Sequence, residues 1–377
     1  MHILVAPDSF KDCLGALAVA EALTRGIEKV IPDALIRVVP MADGGEGTVE
    51  SIIDATGGRI LKVPVMDPLM REITSFYGIS GDGSTAVIEM AAASGLELLD
   101  QGERNPWVTS TFGTGQLIRH ALDQGCEKIL LGIGGSATND GGMGMAQALG
   151  VKFLDDRGNV LGQGGGVLGD VRKIEMGELD PGIGGVEIRV ACDVTNPLTG
   201  PSGASHVYGP QKGANPEMVK KLDNNLSHFD RLIGEQLNKE INRVPGSGAA
   251  GGLGGGLMAF LGAKLVKGFD MVAEAVHLEK AISEADLVIT GEGKMDRQTR
   301  FGKTPFGVAQ LAEKHGKPVI GVAGTVEEGA EELYGSGFRV IMPILEKPSD
   351  LAFAIRNASA LLERAGERIA RLISLQV

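Results

Sequence analysis

Cysteine, histidine and aromatic residues are scarce in this chain of 377 residues. There are three cysteines, Cys13, Cys126 and Cys192, and aromatics make up 4%. An odd, small cysteine count without a CxxC pair argues against a disulfide framework or a structural zinc site. The six histidines are His2, His120, His206, His228, His277 and His315, and no two stand at metal-ligand spacing. Basic residues are outnumbered, 36 Lys and Arg against 48 Asp and Glu, for a net charge of −12. Nucleic acid or an anionic membrane would want a basic face, so neither is an expected partner. A small anionic substrate stays open, since a few local Lys and Arg can hold one. No apolar run approaches the roughly 20 residues that span a bilayer. Residues 1–6 reach Pro7 and Asp8 too soon for a signal peptide. A reduced, cytoplasmic protein is the expectation, with a homo-oligomer left open.

Several catalytic signatures are missing as well. Gly302-Lys303-Thr304 resembles the end of a Walker A loop, but Arg297 stands where its first glycine belongs. No G-x-S-x-G elbow supports a Ser-His-Asp hydrolase. Gly132-x-Gly134-x-x-Ala137 lacks an acidic ribose partner, and Gly291-x-Gly293 continues into Asp296, so both read as glycine turns and not as a nicotinamide site.

What is abundant is glycine, 57 residues clustered at turns between apolar segments. Apolar residues make up 43% and charged residues 22%, as in a soluble globular enzyme. Residues 2–6 read as a buried strand and 35–40 as a second strand, each followed by a polar loop and then a helix. That repeated unit is the grammar of a parallel α/β sheet. It returns at the end, with strands at 287–290, 319–322 and 340–344, helices from 304 and near 327–334, and a closing helix over 350–375. Between the ends the pattern changes. Strands are predicted at 61–65, 73–79, 86–90, 128–133 and 186–191, with a hairpin-type turn at Gly81-Asp-Gly83. Helices are predicted at 112–121, 143–149, from Asn215-Pro216 to about 241, and at 257–265. Residues 155–187 read as irregular. The expected fold is therefore α/β with two domains: a discontinuous Rossmann-like parallel-sheet domain over 1–65 plus 285–377, and an inserted α/β domain over 66–284. The cleft between them is the default place for a site.

Ligands of parallel sheets bind outside the carboxyl ends of the strands, and the polar loops lie there. Asp8, Ser9 and Lys11 in one, and Asp43 and Glu46 in the next, supply a cation for phosphate or carboxylate, oxygens for Mg²⁺ and a base for a hydroxyl. The bland alternative for the aspartates is turn and cap duty. Asp193 and Asn196 form an oxygen pair suited to Mg²⁺, or an Asx-turn before Pro197. The run from Gly132 to Gly150, strand then glycine turn then helix, aims backbone N–H groups at an anion, unless its glycines only serve tight φ angles. Lys303 stands at a helix start, where an anion is welcome. Lys212, in the turn Pro210-Gln-Lys-Gly213, reads as solvated.

Taken together, Ala6-Pro-Asp-Ser-Phe-Lys11, Pro40-Met-Ala-Asp-Gly-Gly-Glu-Gly-Thr48, Phe112-Gly-Thr-Gly115, Gly132 to Gly150, Cys192-Asp193 with Asn196-Pro197, Pro210-Gln-Lys-Gly213, Gly291-Glu-Gly with Asp296, and Gly302-Lys303 with Pro305 resemble the bacterial glycerate kinases of the type-1 family. The motifs follow the family's order along nearly the whole chain. Cys13 and Gly15 depart from it, standing where a small polar residue and Ser are usual. The resemblance implies ATP-dependent phosphorylation of D-glycerate, with 2-phosphoglycerate rather than 3-phosphoglycerate as product. On this basis Lys11, Asp43 and Asp193 are expected to be catalytic, with Asp193 orienting or deprotonating the acceptor hydroxyl. Asp8, Ser9, Glu46, Ser136 and Asn196 are expected to contact substrate. Gly134, Gly135, Gly291, Gly293, Lys294 and Lys303 are expected to contact ATP phosphates, and Asp43 and Asp296 to hold Mg²⁺. The alternatives are a kinase for another small hydroxy or sugar acid, and a non-catalytic nucleotide or carboxylate sensor.

Overall fold

Ile3, Leu4 and Val5 are all buried, which a strand requires when helices cover both faces of its sheet. They form β1 (His2–Val5) in a computed structural model that describes residues 1–300 and 302–375. The remaining strands, in chain order, are β2 (Leu35–Val38), β3 (Arg59–Met66), β4 (Glu72–Ile79), β5 (Thr85–Glu89), β6 (Lys128–Gly132), β7 (Lys152–Leu154), β8 (Lys173–Glu175), β9 (Glu187–Ala191), β10 (Lys264–Val266), β11 (Leu287–Met295), β12 (Val319–Val326) and β13 (Phe338–Pro343).

Five strands make one sheet, in the order β13-β12-β11-β1-β2, and every pairing is parallel. Counted among themselves these strands run 2-1-3-4-5, the flavodoxin-like doubly wound order. The direction of winding reverses between β1 and β11, and ligands of such sheets bind at that reversal, outside the carboxyl ends. Ile3, Val5, Leu287 and Ile289 pack with Val19, Leu23, Leu361 and Leu362 in one core. The last four lie on the helices Ala16–Glu28 and Leu351–Ile373. These helices cross closely enough that a Cβ on Gly26 would strike the Glu363 carbonyl, and one on Gly366 the Leu23 carbonyl. Asp350 caps the second helix by accepting from Phe353 N at 2.6 Å.

Six further strands form a second, mixed sheet, in the order β10-β9-β6-β5-β4-β3. β5, β6, β9 and β10 are parallel, while β4 runs antiparallel to β3 and β5. Phe153, Phe229 and Phe260 meet pairwise in its core at ring separations of 5.5 to 6.0 Å. A small β7-β8 ribbon stands apart.

The chain divides into two units. Met1–Asp43, Glu50–Gly57 and the chain from Phe269 onward make the first; Gly44–Val49 and Gly58–Gly268 make the second. These bounds differ from the expected 1–65 plus 285–377. The residues predicted as a strand at 61–65 lie in β3, whose whole length pairs with β4, and residues 269–284 fall in the first unit. Other elements differ for local reasons. The helix Pro216–Leu237 stops short of residue 241 because Asn238 takes a left-handed φ of 54°. The helix predicted over 257–265 is Leu253–Leu261, ended by Gly262 at φ 67°, and β10 follows it. The segment near 327–334 forms a 3₁₀ turn, Ala330–Ser336. β11 runs on through Gly291-Glu-Gly-Lys294, which reads as a turn in the sequence. Among the described residues no helix is long and apolar enough to cross a membrane.

Candidate functional site

In the first unit, the chain beyond β1 stays bound to its neighbour. Ala6 N donates to Ile289 O and Asp8 N to Gly291 O, both at 2.8 Å. Those bonds carry Asp8 past the strand end, at the reversal between β1 and β11. Its Oδ1 accepts from Ser9 N at 2.6 Å. Burial pushes the Asp8 carboxyl up from 3.8 to about 6; the Thr304 hydroxyl and Ser9 N–H oppose the rise, while the charges of Asp43 and Glu292 add to it. Asp8 and Asp43 are thus brought together. Lys11 is exposed, on a turn closed by Phe10 N to Leu14 O at 2.8 Å.

Glu292 is a residue the sequence reasoning did not single out. It is 9% exposed, accepts from Thr299 Oγ1 at 2.8 Å and from Lys303 Nζ at 2.9 Å, and is pushed up by burial. Its only sequence signal is its position between two glycines. Lys303 is the N-cap of the helix Thr304–Lys314, with Pro305 in the first turn. The fully buried Thr304 hydroxyl makes no hydrogen bond of standard geometry among the described residues.

Three expected phosphate contacts, Gly291, Gly293 and Lys294, belong to a strand and not to a loop. A Cβ on Gly291 would strike the Val322 carbonyl of β12, which is reason enough for its glycine. Gly293 is different: its Cβ would stay 3.7 Å or more from the Phe10 and Lys11 backbone. Lys294 Nζ lies 3.0 Å from Asp296 Oδ2 and 3.3 Å from Glu327 Oε2. Asp296 also accepts from Gln298 N at 2.8 Å, and Lys294 holds its carboxyl below the usual range. The expected metal ligand Asp296 is therefore already engaged by a lysine and a turn.

In the second unit, the segment Gly44–Val49 lies over the carboxyl ends of β6 and β9. Gly132, the last residue of β6, admits the Gly44 carbonyl, which its Cβ would meet at 2.5 Å. Gly134 faces Gly45, and the next residue, Glu46, is exposed. Glu89, the last residue of β5 and also unforeseen, accepts from Val49 N at 2.9 Å. Gly135 needs its φ of 71°, a left-handed value.

Ser136 is 6% exposed. Its Oγ accepts from Thr138 N at 3.1 Å and from Lys212 Nζ at 3.2 Å. Lys212, expected in solvent, is 1% exposed, and burial pulls its ammonium down to about 7. The turn around it folds inward because Lys212 Nζ finds the Thr138 carbonyl at 2.5 Å. Asp140, fully buried, accepts from Thr111 N and Oγ1 at 2.8 Å and from Gly142 N at 3.1 Å, and so locks the glycine turn.

Asp193 is exposed, with Oδ1 accepting from Gly268 N at 3.1 Å. Asn196 spends its amide on the chain: Nδ2 donates to Ser202 O at 2.8 Å and Oδ1 accepts from Tyr208 OH at 2.7 Å. These bonds brace its own loop. No group of three or more His, Cys, Asp or Glu side chains is placed to hold a metal among the described residues. Phosphoryl transfer does not need one, since Mg²⁺ is usually bound by one or two carboxylates together with phosphate oxygens.

Carboxylates and lysines at strand ends suit phosphoryl transfer, and known proteins narrow the choice. The family model described as the glycerate kinase family matches residues 3–374. The chain belongs to the glycerate kinase family. A Bacillus subtilis member named glycerate kinase is 50% identical over 375 residues, covering 100% of this chain and 98% of that one. An Escherichia coli member named glycerate 2-kinase is 49% identical, with the same coverage. The crystal structure of a glycerate kinase 2 homologue from Salmonella typhimurium LT2 superposes with a TM-score of 0.92 at 48% identity, covering 99% of this chain and 98% of that one. As a glycerate kinase family member the chain is a phosphotransferase enzyme.

Proposed function

We propose that this kinase transfers the γ-phosphoryl group of ATP to D-glycerate with Mg²⁺, giving 2-phosphoglycerate. The observation that carries the reading is the Asp8 carboxylate at the sheet reversal, crowded by the charges of Asp43 and Glu292. Such crowding of like charge in a half-buried position is relieved by a divalent cation, so Asp43 with Asp8 fits Mg²⁺ better than Asp296 does. When bound, Mg²⁺ neutralises phosphate charge. The relative named glycerate 2-kinase supports the regiochemistry.

The protein's own groups then divide the work. Lys11 and Lys303 offset negative charge on phosphate or carboxylate, and Lys303 can exchange Glu292 for an anion. Gly293 leaves room beside the Lys11 backbone for a phosphate to approach. Asp193, steadied by Gly268 N–H, orients the acceptor hydroxyl and takes its proton. Ser9, Glu46 and Ser136 bind substrate, Gly134 and Gly135 offer backbone N–H groups, and Asn196 holds the Asp193 loop.

The test is ³¹P NMR of the product from D-glycerate and MgATP. The expected result is a 2-phosphoglycerate resonance. A 3-phosphoglycerate resonance would overturn the regiochemistry, and unchanged ATP would overturn the reaction.

A further inference from the structure

Lys212 is a buried ammonium whose hydrogen-bond partners are neutral. Its partners among the described residues are the Ser136 hydroxyl and the Thr138 carbonyl. Asp140 lies close enough to act on its charge but forms no ion pair with it among the described residues. Burying an ammonium this way is costly.

Ser136 shows what it does. A hydroxyl has two acceptor positions and one proton to give. Lys212 Nζ and Thr138 N fill both acceptor positions. The protein oxygens within reach of the proton are Thr138 Oγ1 at 3.1 Å and Ala250 O at 3.3 Å. The proton is donated to Ala250 O in this structure, but both separations exceed the roughly 2.7–2.8 Å of a good O–H···O bond, so a closer anionic oxygen would displace either partner. Ser136 follows the exposed Gly134 and Gly135 in the chain. We propose that Lys212 is a positioning residue that leaves Ser136 able only to donate, and so commits its hydroxyl to an anionic oxygen of a bound ligand, phosphate or carboxylate. The inference rests on the reading that Ser136 contacts substrate.

A double-mutant cycle on the full-length enzyme tests it, with KM measured separately for D-glycerate and for ATP. Ser136→Ala is expected to raise one of the two by about ten-fold, the worth of one charge-assisted hydrogen bond. A rise for D-glycerate assigns the ligand oxygen to its carboxylate, and a rise for ATP assigns it to phosphate. Lys212→Met should raise the same KM by a similar factor and leave the other KM alone. The two changes together should cost no more than the larger alone. Lys212→Gln, which keeps a donor, should recover part of the loss, and it replaces Lys212→Met in the cycle if that variant does not fold. Additive losses, or a Lys212→Met enzyme with unchanged KM values, would overturn the role of Lys212 alone. An unaffected Ser136→Ala enzyme would overturn the Ser136 contact, and the inference with it.

Discussion

Asp8 holds its proton until about pH 6 because burial disfavours its charge. The folded protein therefore binds that proton more tightly than the unfolded chain, whose Asp titrates near 3.8. The favourable contribution is complete below the unfolded value and is lost as pH rises through about 6. Asp8→Asn removes the titration. In protein freed of divalent cations, its stability relative to wild type should grow by about 1 kcal/mol between pH 5 and pH 8. Urea unfolding at the two pH values measures this, and a constant difference would show that Asp8 titrates normally. Asp193→Asn addresses the chemistry. Losing the group that takes the acceptor proton should lower kcat by about 100-fold or more, with the ATP KM little changed. Steady-state kinetics at saturating D-glycerate checks it, and an undiminished kcat would remove Asp193 from that role. Charged residues in polar loops at strand ends, such as Asp8 and Asp43, are legible in a sequence because the grammar of parallel sheets places them. Lys212 is not, since whether a turn lysine faces water or the interior depends on the Thr138 carbonyl, far away along the chain.

Strands and helices show the same division. The inner parallel strands β1, β5 and β6 are legible as short apolar runs, because both their faces are covered. β11 is longer than its apolar run, since Gly291-Glu-Gly-Lys294 looks like a turn and becomes strand only when β12 pairs along it to Met295. β10 has three residues and little periodicity to read. The two glycines of β11 should respond differently to a methyl group. Gly291→Ala forces a Cβ into the β12 backbone and should cost about 1–3 kcal/mol, as overpacking does. Gly293→Ala meets ordinary contacts and should leave the unfolding midpoint almost unchanged while raising the KM for ATP. Denaturation curves with kinetics separate the two, and equal destabilisation would mean β11 and β12 are not packed as closely as described. The Gly26 and Gly366 crossing predicts a similar penalty of about 1–3 kcal/mol for alanine at either site, read in the same curves.

At the scale of the whole molecule, the first sheet draws on both ends of the chain. β1 and β2 come from its beginning, while β11, β12 and β13 come from its end. Removing the closing helix Leu351–Ile373 strips Leu361, Leu362 and Ile369 from the first core, while the second core, built within residues 61–265, keeps all its members. Hydrogen exchange on a chain truncated after residue 350 should show β1 and β11 unprotected and β6 and β9 still protected. Loss of protection in both sheets would make the cores interdependent. The order of synthesis gives this arrangement a further meaning. A ribosome releases β1 long before its neighbour β11 exists, because Ile3 pairs with Leu287. Nascent β1 offers an apolar, unpaired edge for most of translation, while every strand of the second sheet emerges in one uninterrupted stretch. The last sheet to close contains the first strand made, so the early residues are the ones a chaperone has most reason to shield.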